Sequence, residues 1–380
     1  MKHRTDPTTV ADLAQFLRPA GGGIHTVSTG RDEQAALQRA LYGAADAAEV
    51  EARWLEALAE SANARVAVIG IPSDCGAGLV RGAAYGPRAV RESVLRARPD
   101  YRELCARQGV VDVGDVRVVP HLLHDDMLSD GQRRASQVAL YGVGARPDWP
   151  VSPLSIAEKV VGGLLSLNPD LRVFLLGGDH SVTWPIVAAL ARHTREPWAI
   201  VHPDAHTDLL PERLGVKYCF ATWAFHANEL VGRGGRLVQV GVRASGKPKR
   251  HWEQTLGVRQ FWADEIEARG EGVIDEVIAH LRAVGAKRVY VSNDIDATDV
   301  AFAPATGAPA PGGPSPDFIR ALIRRVGEAF PLLGADVVEV APPLGAPEDA
   351  RRTIDVAAWY MLESLAALTG AAAFTTRATP

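Results

Sequence analysis

The sequence predicts an α/β protein of three layers, with a mostly parallel central sheet between helices and a helical extension over residues 1–64. Apolar runs of strand length alternate with helically spaced segments from residue 65 onward, the pattern of a parallel sheet built from crossover units. Three short acidic stretches each follow one of those runs directly, and the carboxyl ends of strands are where ligands sit in such sheets. The extension is set apart by Asp32 to Asn63, rich in Ala, Leu and Glu, with Leu37, Leu41, Val50, Trp54, Leu55 and Leu58 at helical spacing.

Gly21-Gly22-Gly23 and the proline-containing start read as a loop or arm. Val66 to Ile71 is the first strand. Pro87 then sits in the first turn of a helix, where its missing N–H costs nothing. Val110 to Asp115 is a second strand with a polar exit. Residues 115–153 hold many turn formers and no clear period, so they read as a long connection that includes a helix without assignable bounds. From there the alternation is regular: helix 156–165 and strand 173–176, helix 183–191 and strand 198–201, helix 221–231 and strand 237–242, helix 273–284 and strand 289–291. Helix 318–330 precedes an expected strand Val337 to Val340, and an apolar helix over 353–368 closes the chain. Residues 65–380 are therefore expected to form one domain, with Ala303 to Pro316, rich in Pro and Gly, as a loop directly after the third acidic stretch.

Composition narrows the class. Of 380 residues, 47% are hydrophobic and 23% charged, as in a soluble globular protein. A net charge of −4 gives no basic footprint for nucleic acid. No apolar run approaches the roughly 20 residues of a membrane span, and the amino terminus lacks a secretory signal, so a cytoplasmic protein is expected. Cys75, Cys105 and Cys219 are scattered and odd in number, which fits reduced thiols and neither a zinc knuckle nor a disulfide framework.

The acidic stretches carry the chemistry. In Asp204-Ala205-His206-Thr207-Asp208, alternation along an extended chain puts Asp204, His206 and Asp208 on one side. Gly177-Gly178-Asp179-His180-Ser181 and Ser292-Asn293-Asp294-Ile295-Asp296 end two other strands. Singly, each is as well explained by a helix cap, a turn or a buried hydrogen-bonded His. Together His180, Asp204, His206, Asp208, Asp294 and Asp296 exceed what one zinc with an open position needs. Four carboxylates balance two dications, and oxygen with imidazole donors suits ions of intermediate hardness.

These motifs, with Gly82-x-x-x-Gly86-Pro87-x-x-x-Arg91 and Asp112-x-Gly114-Asp115, resemble the ureohydrolases, the arginase and agmatinase family, over roughly residues 65–370. The resemblance implies an arginase-like fold and a binuclear centre of manganese or nickel that hydrolyses a guanidino group to urea. It implies one ion on His180, Asp204, Asp208 and Asp294, and the other on Asp204, His206, Asp294 and Asp296. It further implies a guanidinium-pairing carboxylate at Glu339, a proton role for Asp208, and a histidine acting as shuttle or substrate contact, for which His226 is the candidate outside the usual His-Gly setting. Tyr218, Phe220, Trp223 and Phe225 replace the polar loop expected of arginase and could wall a small pocket over a flat cation. That cassette is most similar to the guanidine hydrolase branch, so the expected reaction is guanidine plus water to urea and ammonia. The alternatives are an agmatinase or guanidinobutyrase, a zinc amide deacetylase, or a catalytically silent paralogue. A homo-oligomer, trimer or hexamer, is expected.

Overall fold

The computed structural model describes residues 9–24 and 30–375, so the first eight residues of the expected arm lie outside the described part. Among the described residues nine strands form a single sheet: β1 Leu17–Arg18, β2 Val66–Ile71, β3 Val110–Val116, β4 Arg172–Gly177, β5 Trp198–Pro203, β6 Leu237–Val242, β7 Arg259–Trp262, β8 Arg288–Asp294 and β9 Leu332–Val338. Their order is β1-β3-β2-β4-β9-β8-β5-β6-β7, parallel throughout except for β1 against β3. Successive residues of β2 serve opposite faces. Val66 and Val68 join one hydrophobic cluster, while Ala67, Ile69 and Ile71 join the other. With a pleat of period two and both faces covered, the strand is apolar at every position.

Helices Gly86–Ala97, Gly272–Ala283, Pro316–Ala329 and Pro347–Thr369 cover one face; Pro153–Leu167, Thr183–His193 and Trp223–Leu230 cover the other. The expected three-layer architecture is what the chain adopts. Residues assigned to the extension join it: β1 closes one sheet edge, and Trp54 donates its indole N–H to the Val113 carbonyl at 2.9 Å. The connection 115–153 contains a helix, Asp130–Tyr141, started by a capping box between Ser129 and Gln132.

The last sheet strand runs Leu332–Val338 instead of 337–340. Gly334 and Asp336 interrupt its apolar pattern, which hides its first half from a reading of periodicity. Glu339 thus stands just past the strand end. The strand's place matters most: β9 and β8 are inserted between β4 and β5, so the four strands that end in candidate site residues are neighbours, β4-β9-β8-β5.

Arg91, the last residue of the Gly82-to-Arg91 motif, has a structural task. Arg91 is buried and bonds Asp112 at 2.8 and 3.0 Å and Asp115 at 2.6 Å, tying helix Gly86–Ala97 to β3.

Candidate metal centre

Three acidic residues of the cluster each use one carboxylate oxygen to accept a backbone amide and turn the other inward. Asp204 Oδ1 accepts the His206 amide at 2.6 Å, Asp294 Oδ1 the Asp296 amide at 2.8 Å, and Asp296 Oδ1 the Ala205 amide at 3.1 Å. Their Oδ2 atoms converge: His180 Nδ1 lies 3.2 Å from that of Asp204, 3.0 Å from that of Asp294 and 3.5 Å from that of Asp208. His206 Nδ1 lies 3.1 Å from Asp296 Oδ2 and 3.4 Å from Asp204 Oδ1. The six residues named from sequence are therefore gathered in one place, and Asp204 belongs to both halves of the cluster.

The local backbone explains the placement. The Gly177–Gly178 turn runs against the chain at Ser73, where a Cβ on Gly178 would strike the Ser73 carbonyl. Asp208 (φ +52°) and Glu339 (φ +62°) hold left-handed conformations. These cost a non-glycine residue of order 1 kcal/mol or more and concentrate at functional sites. Glu339 Oε1 accepts the His180 amide at 2.9 Å, joining the ends of β4 and β9.

Buried hydrogen bonds orient the first imidazole. His180 Nε2 meets Ser292 Oγ at 3.0 Å, and Ser292 Oγ reaches both Asp336 oxygens at 3.0 Å. Asp336 also accepts from Tyr290, Thr183 and the Asn293 amide, so it is the acceptor of the group. Ser292 donates to it and accepts from His180 Nε2–H, which leaves Nδ1 as the atom facing the carboxylates. Trp223 stacks on His180 at 4.5 Å and donates its indole N–H to Asp208 Oδ2 at 3.0 Å.

The donor set calls for cations. Burial, then the charge of Asp204, pushes Asp208 up to about 8; burial, then Asp296 and Asp204, pushes Asp294 well above the carboxylate range. Burial opposes the charge of His206, yet its bonds to Asp204 and Asp296 hold it at about 12. Protons thus balance a cluster that two divalent ions would balance by displacing them. The residues fit such ions in number, charge and donor type.

Glu339 is buried beside the cluster, and burial followed by Asp179 raises it well above its ordinary value. With Asp208, Asp294, Asp296 and Phe220 it lines a cavity of about 220 Å³. His226 is elsewhere: its Nε2 lies 3.0 Å from the Pro211 carbonyl and 3.1 Å from that of Lys217, holding the loop after Asp208, and it does not line this cavity. The expected aromatic wall reduces to Phe220. Trp223 is wholly buried under His180, and Tyr218 stacks on Trp184 at 5.0 Å.

Two contributors escaped the sequence reading. His202, inside β5, places Nε2 2.6 Å from Asp204 Oδ2; it shares the alternating row of Asp204 and His206, which was the available signal. Arg243 bonds the main-chain carbonyls of Asp296, Ala297 and Ala310 at 2.7–3.0 Å and so pins the loop that follows the Asp-x-Asp turn.

Comparison with known proteins agrees with this geometry. The arginase family model matches residues 64–366. The chain belongs to the arginase family. It is 34% identical over 287 residues to proclavaminate amidinohydrolase of Streptomyces clavuligerus, covering 73% of this chain and 80% of that one. It is 33% identical over 326 residues to guanidinopropionase of Pseudomonas aeruginosa, covering 84% and 91%. The N(1)-aminopropylagmatine ureohydrolase of Thermus thermophilus is 33% identical over 279 residues, covering 73% and 83%. The solved structure of the Streptomyces clavuligerus enzyme superposes with a TM-score of 0.63 at 30% identity, over 80% of this chain and 92% of that chain. This arginase-family chain is accordingly a hydrolase of the ureohydrolase class. Among its described residues, no helix is long and apolar enough to cross a membrane.

Proposed function

We propose that this ureohydrolase releases urea from free guanidine or a small guanidino compound at a binuclear centre of nickel or manganese. His180, Asp204, Asp208 and Asp294 would hold one ion, and Asp204, His206, Asp294 and Asp296 the other. Such ions supply a water-derived nucleophile near neutral pH and polarise the carbon under attack. The observation that carries the reading is Glu339, a buried carboxylate with one oxygen on the His180 amide and its side chain on the cavity shared with Asp208, Asp294 and Asp296. A carboxylate so placed pairs a planar guanidinium and holds its carbon toward the cluster. Asp208, lining the cavity beside Glu339, takes the proton shed by the nucleophile and returns it to the departing nitrogen, which cannot leave as an amide ion.

A tailed substrate has one observation in its favour. A larger space of about 700 Å³ shares Phe220 and Arg213 with the site cavity, and its lining adds Arg81 and His121 with no Asp or Glu among the described residues. That surface favours an anionic tail, as in 4-guanidinobutyrate, over the cationic tail of agmatine.

Urea release by protein loaded separately with nickel and manganese, from guanidine, agmatine, 4-guanidinobutyrate and arginine in parallel, tests both readings. Turnover of guanidine or of the acid, requiring two ions per chain, is expected. No urea from any of the four with two ions bound refutes the proposal. A homo-oligomer, trimer or hexamer, in the cytoplasm completes the reading, and light scattering of the purified protein checks the assembly.

A further inference from the structure

His202 is fully buried in β5, and its two ring nitrogens meet two different partners: Nε2 the Asp204 Oδ2 at 2.6 Å, Nδ1 the Gln239 Nε2 at 3.0 Å. Which nitrogen carries the proton follows from a chain of side chains that crosses three strands. Trp262, in β7, has an indole N–H that can only donate, and it lies 2.9 Å from Gln260 Oε1. The other end of the Gln260 amide is then its NH2, which donates to Gln239 Oε1 at 2.8 Å. The Gln239 NH2 is left to face His202 Nδ1 and the Thr207 carbonyl, the latter at 2.7 Å. A carbonyl only accepts, so both ends of the chain impose the same direction. Gln239 and Gln260 are both fully buried, so solvent does not compete for these bonds. With an N–H aimed into its Nδ1 lone pair, His202 must carry its proton on Nε2 and donate it to Asp204.

We infer that His202 is a positioning residue for the metal centre: the Trp262–Gln260–Gln239 chain selects its Nε2–H tautomer, and that N–H holds the Asp204 carboxylate in place between the two ion sites. The inference rests on the binuclear reading above. It also removes His202 from the candidate ligands, although its atoms lie close enough to be one, because neither nitrogen keeps a free lone pair. Asp204 belongs to both halves of the cluster, so a rotation of this one carboxylate disturbs both sites together.

The experiment pairs metal titration of stripped protein by calorimetry with nitrogen NMR of histidine-labelled protein. The NMR should report a neutral His202 protonated at Nε2. His202→Phe keeps the ring volume and removes the donor; nickel or manganese should bind about 10–100-fold more weakly at both sites. His202→Gln places an amide N–H where Nε2 stood and should restore binding to within a few-fold of the parent. Gln239→Glu offers Nδ1 an acceptor in place of a donor, and should move the proton to Nδ1 and weaken binding as His202→Phe does. A proton found on Nδ1 in the parent protein, or His202→Phe binding two ions with unchanged affinity, overturns the inference. The parent protein failing to take up two ions would instead overturn the binuclear reading, and the NMR result would still stand as a separate outcome on the tautomer. If His202→Phe does not fold, the His202→Gln and Gln239→Glu titrations decide the matter.

Discussion

Asp208→Asn separates the chemistry of the site from its architecture. Asp208 stands at φ +52°, a conformation Asn tolerates better than other non-glycine residues, so the backbone has no reason to move. The amide oxygen of Asn can still accept the Trp223 indole N–H, now 3.0 Å from Asp208 Oδ2. Burial and Asp204 hold Asp208 at about 8. At pH 7 Asp208 then mostly keeps its proton in metal-free protein. Exchanging a mostly neutral acid for a neutral amide should therefore leave metal-free stability within about 1 kcal/mol, in the range of mild substitutions. Turnover is a different matter. The variant loses the group that moves the proton, a loss of about 10²–10⁴-fold, equivalent to about 3–5 kcal/mol of barrier, and it loses a ligand as well. Urea release at saturating metal, beside thermal unfolding of the metal-free proteins, measures both quantities. An unchanged rate would sink the proton role of Asp208. A metal-free variant that melts far below the parent would show that the ionised carboxylate is structural.

Other consequences follow from the same geometry. Arg91→Met leaves Asp112 and Asp115 buried without their cation, and should cost about 3–5 kcal/mol in urea denaturation while metal stoichiometry in the folded fraction stays the same. Ser292→Ala frees His180 Nε2 from Asp336 and should weaken metal binding about 10–100-fold, read by competition with a chromophoric chelator. Metal affinity should rise with pH. Asp208 at about 8, His206 at about 12 and the raised Asp294 carry protons in metal-free protein, and each must lose its proton to bind an ion. Each proton released adds up to about tenfold in affinity per pH unit below its pKa, so calorimetry between pH 6 and 8 in buffers of different ionisation heat should count more than one proton. Affinity independent of pH over that interval would refute the assignment of these groups as ligands.

Much of the site was legible because its determinants are local. The strand preceding each motif is a short apolar run, and the motif itself alternates with period two, so Asp204, His206 and Asp208 could be placed on one side from sequence. The bounds of the helix Asp130–Tyr141 and the strand Arg259–Trp262 were not, since one is polar on most sides and the other is four residues at a sheet edge. The aromatic cassette misled for a related reason. Residue type records that Trp223 and Tyr218 are large and apolar, but not whether they face a cavity or lie beneath it, and Trp223 proves to be the floor under His180.

The sequence by itself determined most of the alternating elements, the chemical kind of the six candidate ligands and the strand ends at which they emerge, because pleat and helix periods act over a few residues. Tertiary structure alone decided that β8 and β9 lie between β4 and β5, bringing Glu339 beside His180 and Asp336 behind Ser292. It alone set the protons of His180 and His202, through partners on β8 and β9 for the first and on β6 and β7 for the second. Strand order and hydrogen-bond direction depend on residues far apart in the chain, and no local period encodes which distant partner a buried imidazole will meet.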